Sequence, residues 1–298
     1  MKTSNRLVIK KTGAGGFTLV ELAVVIATVA VLAALLLPAL AGTRPNTQAF
    51  QCLENQRQLI LAWQMYAQDN SDFLPPNDFP YNVSEPRDGS EKNWVFGSMA
   101  ITLDAFNTSI LVNPQLSLLA LYNTNPAVYK CPADASLVQG HPRARSVSMN
   151  CAVGTRWYTA GLDGGPSLGL AGSPVGGSWL SGYYADPDPN YRTYGKITQM
   201  TKPGPSMTWV IMDENPLTIN DACMAISMTQ VLVDHPGNYH NGAAGISFAD
   251  GHTEMHRWMD VFAQNPSSMI VPGGPGQPIV PSPCLDLAWI QPRTSALK

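Results

Sequence analysis

Four groups of residues could carry chemistry. His252, Glu254 and His256 alternate along one apolar segment, and a His-x-His pair with a carboxylate between is a spacing that can hold Zn²⁺ on one strand face. The competing assignment is a solvated polar strand face. Nine residues separate His240 from Asp250-Gly251. The imidazole and carboxylate could act as ligands or as catalytic partners, or could simply hydrogen-bond near a turn. Asp213 and Glu214, with Asn220 and Asp221 close behind, offer oxygens of the kind Ca²⁺ takes, but in no regular ligand spacing; loop capping explains them as well. Five cysteines allow two disulfides and one free thiol. Cys52 with Cys131 would close a loop of roughly 80 residues and add on the order of 3–5 kcal/mol, Cys131 with Cys151 is the competing pair, and unpaired buried thiols are the third option.

No nucleophile elbow, phosphate-binding loop, dinucleotide fingerprint or HExxH helix accompanies these groups. The chain is therefore expected not to be an enzyme, and to need no cofactor beyond a Ca²⁺ or Zn²⁺ ion at one of the candidate sets.

The elements that must position these residues are legible in part. Asp250-Gly251 between two alternating runs predicts a two-residue hairpin in which Phe248 faces Thr253 and Ile246 faces Met255. That register puts Ser247, His252, Glu254 and His256 on the opposite, polar face. "SMTWVIMDE" and "NWVFGSMA" read as further strands, and "SLLALY" as a short helix. Ala49, Leu53, Ile60, Trp63 and Ala67 recur at helical steps, with Gln56 the exception, so residues 46–72 form an amphipathic helix that ends at "DNSD" and Pro75-Pro76. Two stretches rich in Gly and Pro, 160–178 and 265–283, read as loops.

The N-terminus is of another kind. From Phe17 to Leu40 the chain is apolar apart from Glu21, and as a helix this run would extend roughly 36 Å. Lys2, Arg6, Lys10 and Lys11 precede it with no acid among them. The whole chain of 298 residues carries a net charge of −3; without those four it carries 14 basic against 21 acidic residues, a net of −7. No basic footprint suggests nucleic acid. The basic flank favours a cytoplasmic N-terminus with the remainder exported. A secretory signal cut after "ALA" at 39–41 is one reading, and a plain anchor is another. Neither explains a carboxylate inside an apolar run. Pro38 and Pro45 predict a kink and a break in the helix.

"GGFTLVEL" resembles the cleavage and methylation motif of type IV prepilins and type II secretion pseudopilins. The resemblance implies cleavage after Gly16, methylation of the new N-terminal residue Phe17, and a role in assembly for Glu21, whose carboxylate would meet the Phe17 amine of a neighbouring subunit. His240 with Asp250 and Gly251, in H-x9-DG spacing, resembles the C-terminal domain of a large group of bacterial prepilin-like proteins. "NQRQLILAWQMYAQDN", "YKCPAD", "RSVSMN" and "YGKITQMTKPGPSMTWVIMDENP" are similar to that group too.

The resemblance implies an α+β, pilin-like fold: a long N-terminal helix, with a transmembrane half and an amphipathic half, packed on an antiparallel β-sheet with long loops. The implied segments are a leader (1–16), a transmembrane helix (17–41), the amphipathic continuation (46–72) and an exported β-rich domain (73–298) with the H-x9-DG hairpin at 240–251. The implied function is a structural subunit of a pilus or pseudopilus-like fibre, with the prepilin peptidase/N-methyltransferase, sibling subunits and an inner-membrane assembly platform as partners. The expected location is the bacterial inner membrane, single-pass, with the C-terminal domain periplasmic, and then the fibre. The alternative is an anchored binding module for carbohydrate or metal that never polymerises.

Overall fold

The computed structural model describes residues 18–77, 92–100, 103–156, 172–263 and 279–298. The segment expected to be a leader (1–16), with Gly16, as well as Phe17 and most of both Gly- and Pro-rich stretches, lies outside these residues. The chain divides into two units, Met1–Asn46 and Thr47–Lys298, each described by itself.

Helical residues α1 (Leu19–Asp69) include both Pro38 and Pro45, where breaks were expected. In the first unit, residues 18–32 are exposed throughout. Their helix opens with a capping box. Thr18 donates its backbone N–H and its hydroxyl to Glu21 Oε2, both at 2.8 Å, and the Glu21 N–H returns a bond to Thr18 Oγ1 at 3.2 Å. The pair satisfies donors that the first helical turn cannot satisfy by itself.

In the second unit, α1 from Thr47 lays Cys52, Asn55, Gln56, Leu59, Ile60, Trp63 and Ala67 against a sheet. This is a stripe at three- and four-residue steps, and Gln56 lies at its centre instead of interrupting it. The helix ends where Ser71 and Asp72 take left-handed conformations, φ 55° and 69°, and Asn70 Nδ2 donates back to Tyr66 O at 2.7 Å.

The sheet has five strands: β3 (Val147–Asn150), β4 (Trp209–Asp213), β5 (Cys223–Met224), β6 (Ala243–Phe248) and β7 (Thr253–Arg257), in the order β5-β3-β4-β6-β7. A separate two-stranded hairpin joins β1 (Leu137–Val138) and β2 (His141–Pro142). One sheet face carries Val147, Met149 and Ile211 towards Leu59, Ile60 and Trp63 of α1. The other carries Met212, Ile246 and Phe248 towards Trp258, Phe262 and the C-terminal helix α2 (Leu285–Thr294). Trp209 Nε1 donates to Thr294 Oγ1 at 2.9 Å and fixes α2 on that face. With both faces covered, every residue of β4 and β6 is buried, so neither strand presents a solvated polar side.

The pilin-like fold expected from the sequence is overturned. Among the described residues no helix is long and apolar enough to cross a membrane. What packs on the sheet is roughly six turns of helix from Thr47, not a long stem. The sheet is mixed, not antiparallel: β5 pairs parallel to β3, with Met149 opposite Cys223. The chain returns to β3 only after β4 has been laid down on its other edge, and such a crossover permits the parallel sense that a tight hairpin cannot. "NWVFGSMA" is not a strand. It makes one isolated bridge, Asn93 to Ser117, and its other backbone-to-backbone hydrogen bonds go singly to Pro76, Leu119 and Asn220.

The hairpin register also differs by one residue. Ser247 pairs with Thr253 and Ile246 with Glu254, leaving a three-residue loop, Ala249-Asp250-Gly251, with Gly251 at φ 96°. A three-residue hairpin closed by a left-handed glycine is the next commonest choice after the two-residue turn. The slip moves His252, Glu254 and His256 onto the face of Ile246 and Phe248.

Candidate functional site: a buried cluster of thiols, carboxylate and imidazole

Among the described residues, one group of metal-competent side chains converges. It consists of Cys52, Cys131, Asp213 and His240, with one donor atom from each and all four atoms within 4.8 Å of one another. Four separate segments deliver them.

Cys52 comes from the buried stripe of α1. Cys131 follows a 3-10 turn, Pro126–Tyr129, whose start is capped by Asn125 accepting from Ala127 N at 3.1 Å. The helix itself holds that segment in place. Asn55 Nδ2 donates to Lys130 O at 3.2 Å, and Gln48 Nε2 to Pro132 O at 3.1 Å. Ser146, just before β3, accepts the Cys131 N–H at 2.7 Å. Asp213 is the last residue of β4, next to β6, and its Oδ2 accepts the Gly245 N–H at 2.8 Å. His240 precedes β6 by way of Asn241 and Gly242, both left-handed at φ 55° and 82°, and its own N–H donates to Ala243 O at 3.2 Å. Asn-Gly is a turn signal that sequence reasoning passed over, and it is what aims His240 inward.

Two contacts join a sulfur to an oxygen or nitrogen, and the two thiols also meet each other. Cys52 Sγ donates to Asp213 Oδ2 at 3.2 Å, and Cys131 Sγ lies 3.1 Å from His240 Nε2. Asp213 Oδ1 is buried with no hydrogen-bond partner. Gln56 Nε2 donates to Gly245 O at 3.2 Å, closing the floor.

Burial sets the electrostatics of Asp213 and His240, and the thiol–thiol contact is the largest influence on Cys52 and Cys131. It pushes the Asp213 carboxyl up to about 7 against the opposing Gly245 N–H. The Cys52 thiol is held well above its usual value by Cys131, by burial and by Asp213. Contact with Cys52 acts to lower Cys131, but burial and Asp213 raise it overall. Burial lowers His240, which keeps the imidazole neutral. Such a set can bind a thiophilic divalent ion, or its two thiols can oxidise.

All five cysteines are free and buried. Cys52 and Cys131 meet in this cluster, whereas the thiol of Cys151, just past the end of β3, meets that of Cys223 on β5. The alternative pairing of Cys131 with Cys151 is therefore not assembled.

The remaining candidate sets do not converge among the described residues. His252 stacks on Phe248 with ring centroids 4.2 Å apart and meets Asp250 Oδ1 through Nδ1 at 2.6 Å. His256 stacks on Trp289 at 3.6 Å. The aromatic face that the register shift gives these imidazoles occupies them, and Glu254 joins no ligand group. His240 and Asp250 lie at opposite ends of β6, roughly 20 Å of strand apart. Asp250 serves the turn, accepting the His252 N–H at 3.1 Å. Asp213 ends β4, and Glu214 follows it outside the strand, its N–H donating to Ser146 O at 2.9 Å. Asp221 accepts the Cys223 N–H at 2.7 Å, and Asn220 accepts that of Asp221 at 2.9 Å. These acids do not form an oxygen cage.

No protein-family model, no curated protein and no solved structure matches this chain. The likeness to prepilins rests on the motif residues themselves.

Proposed function

We propose that the chain is a structural subunit of a type IV pilus or type II secretion pseudopilus-like fibre, cleaved between Gly16 and Phe17 and assembled through its N-terminal helix. The observation that carries this reading is the surface of residues 18–32. Leu19, Ile26 and Leu32 are 85%, 61% and 60% exposed, Val20, Val24, Val29 and Val31 are also open, and Glu21 is the single charge among them. A helix that is apolar on all sides needs a lipid or protein environment. A carboxylate within it needs a positive partner there, which a Phe17 amine freed by cleavage would supply.

In this reading the apolar run from Phe17 to Leu40 holds the subunit in the inner membrane until neighbouring subunits replace lipid around it. The prepilin peptidase/N-methyltransferase, sibling subunits and an assembly platform are the partners it requires.

The deciding experiment is intact mass and N-terminal sequencing of the protein from native membranes. A chain beginning at methylated Phe17 supports the proposal, and one beginning at Gly42 or Met1 overturns it. Incorporation of Glu21→Ala into the fibre at the wild-type level would point instead to an anchored domain that does not polymerise.

A further inference from the structure

We propose that Cys52, Cys131, Asp213 and His240 form a structural zinc site that staples α1 to the sheet. The proposal does not depend on the assembly reading. Zinc sites of this kind take four protein ligands in a tetrahedron, with thiolate, imidazole and carboxylate all admissible. Zn–S near 2.3 Å and Zn–N or Zn–O near 2.1 Å require donor-to-donor edges of roughly 3.6 Å between sulfur and nitrogen or oxygen. Two edges are 3.1 and 3.2 Å, and no separation exceeds 4.8 Å, so shifts of roughly half an ångström to one ångström bring these four atoms around one centre.

Three further observations point to an ion. Asp213 is fully buried, and its Oδ1 has no hydrogen-bond partner; an orphan oxygen in the interior is costly unless something accepts its lone pairs. Each sulfur faces a nitrogen or oxygen donor, the arrangement of a mixed coordination shell. The backbone is also cut away at the site: a β-carbon on Gly245 would stand 2.8 Å from Cys52 Sγ and 3.2 Å from Asp213 Oδ2. Two sulfur donors exclude Ca²⁺ and Mg²⁺, which prefer oxygen, and favour zinc. With four protein ligands no coordination position is left for a reactive water, so the role is structural.

The ligands come from sequence positions far apart, so one ion would tie together the helix, the segment after Tyr129, the end of β4 and the turn before β6. Its binding energy becomes folding energy of the domain. Binding displaces the protons of both thiols and requires an ionised Asp213, with His240 already neutral.

The test uses the full chain in detergent micelles, reduced, stripped with chelator and then given Zn²⁺ or Co²⁺ alone. The expected result is one zinc per chain after gel filtration, and a Co²⁺ spectrum with thiolate-to-cobalt charge transfer and tetrahedral ligand-field bands. Cys52→Ser and Asp213→Asn should abolish stoichiometric binding. Gln56→Leu should weaken it on the order of ten- to a hundredfold through the outer shell, and Cys284→Ser should leave it unchanged. If a ligand variant does not fold, the wild-type cobalt spectrum decides by itself. Reduced wild type that takes up no stoichiometric zinc, a cobalt spectrum without charge transfer, or a folded Cys52→Ser protein that binds as tightly as wild type overturns the proposal. So does a Cys52–Cys131 cross-linked peptide in protein isolated from native membranes, which assigns the pair to a disulfide.

Discussion

Gly245 and Cys52 approach so closely that a β-carbon on the glycine would stand 2.8 Å from the cysteine sulfur. The contact sets the distance between α1 and β6, and the strand could not accept the helix there with any side chain in place. Gly245→Ala should therefore destabilise the domain by about 1–3 kcal/mol, the usual range for overpacking. Gly204, where a β-carbon meets nothing within 4 Å, is the control, and its alanine variant should stay within about 0.5 kcal/mol of wild type. Urea midpoints of the two variants settle it, and equal midpoints would show that the helix can back away at little cost.

The base of α2 depends on a reciprocal arrangement of two acids. Asp286 accepts the backbone N–H groups of Met259, Asp260 and Phe262 at 2.7, 3.1 and 2.8 Å. Asp260 accepts those of Leu285 and Asp286 at 2.6 and 3.2 Å. Removing the buried Asp286 leaves donors without acceptors, each costing about 1–3 kcal/mol. Asp286→Ala should lose roughly 3 kcal/mol or more, and Asp286→Asn, which keeps one acceptor oxygen, should lose less. Amide exchange at Met259 and Phe262 should accelerate in the alanine variant. Unchanged protection at both would mean that other groups cap these amides.

Some of this was legible in the sequence and some was not, for physical reasons. The amphipathic stripe through Ile60, Trp63 and Ala67, the strand at Trp209–Asp213 and the turn at Asp250-Gly251 follow from local periodicity and turn chemistry, which a single sequence carries. Register does not follow in the same way: two- and three-residue loops differ by one position, and that position exchanged the faces of His252, Glu254 and His256. The cluster was half visible. Cys52 and Cys131 stood out as a pair of thiols, but Asp213 read as a loop acid and His240 as a turn residue, because their convergence is set by strand order. Gln56 looked like an error in an apolar stripe. It is polar because the β6 backbone beneath it, at Gly245, offers a carbonyl.

His235 gives the domain a sensitivity to acid. Its ring is buried edge-on to Phe262 at a centroid distance of 5.3 Å, and neither ring nitrogen has a hydrogen-bond partner. Burial pushes its pKa down to about 4 from an ordinary 6.5. Between those values the unfolded chain binds a proton that the folded one refuses, so this group's contribution is intact above pH 6.5 and is lost as pH falls through 4, at about 1.4 kcal/mol per pH unit. Glu214, Asp221 and Asp234, held above their ordinary values chiefly by burial, act in the opposite sense, but equally in wild type and variant. His235→Phe should thus gain on wild type by roughly 3 kcal/mol between pH 7 and pH 4. Urea unfolding at the two pH values measures that difference; a constant gap would place the histidine's proton elsewhere.

Glu21 has two separable roles. Its carboxylate closes the capping box with Thr18, which a glutamine can also do, since an amide oxygen accepts the same bonds. Its charge is what an assembling fibre would use against the amine of a neighbour, and glutamine lacks it. Glu21→Gln should therefore keep the start of the helix, membrane association and cleavage after Gly16 while losing fibre incorporation. Glu21→Ala should lose incorporation and also fray the first turn, at about 1 kcal/mol for the lost cap. Mass spectrometry of the processed N-terminus, together with recovery of the subunit in sheared fibres, separates the two variants. If Glu21→Gln assembles like wild type, the residue is retained for its cap, and the charge pairing with the Phe17 amine is not what drives assembly.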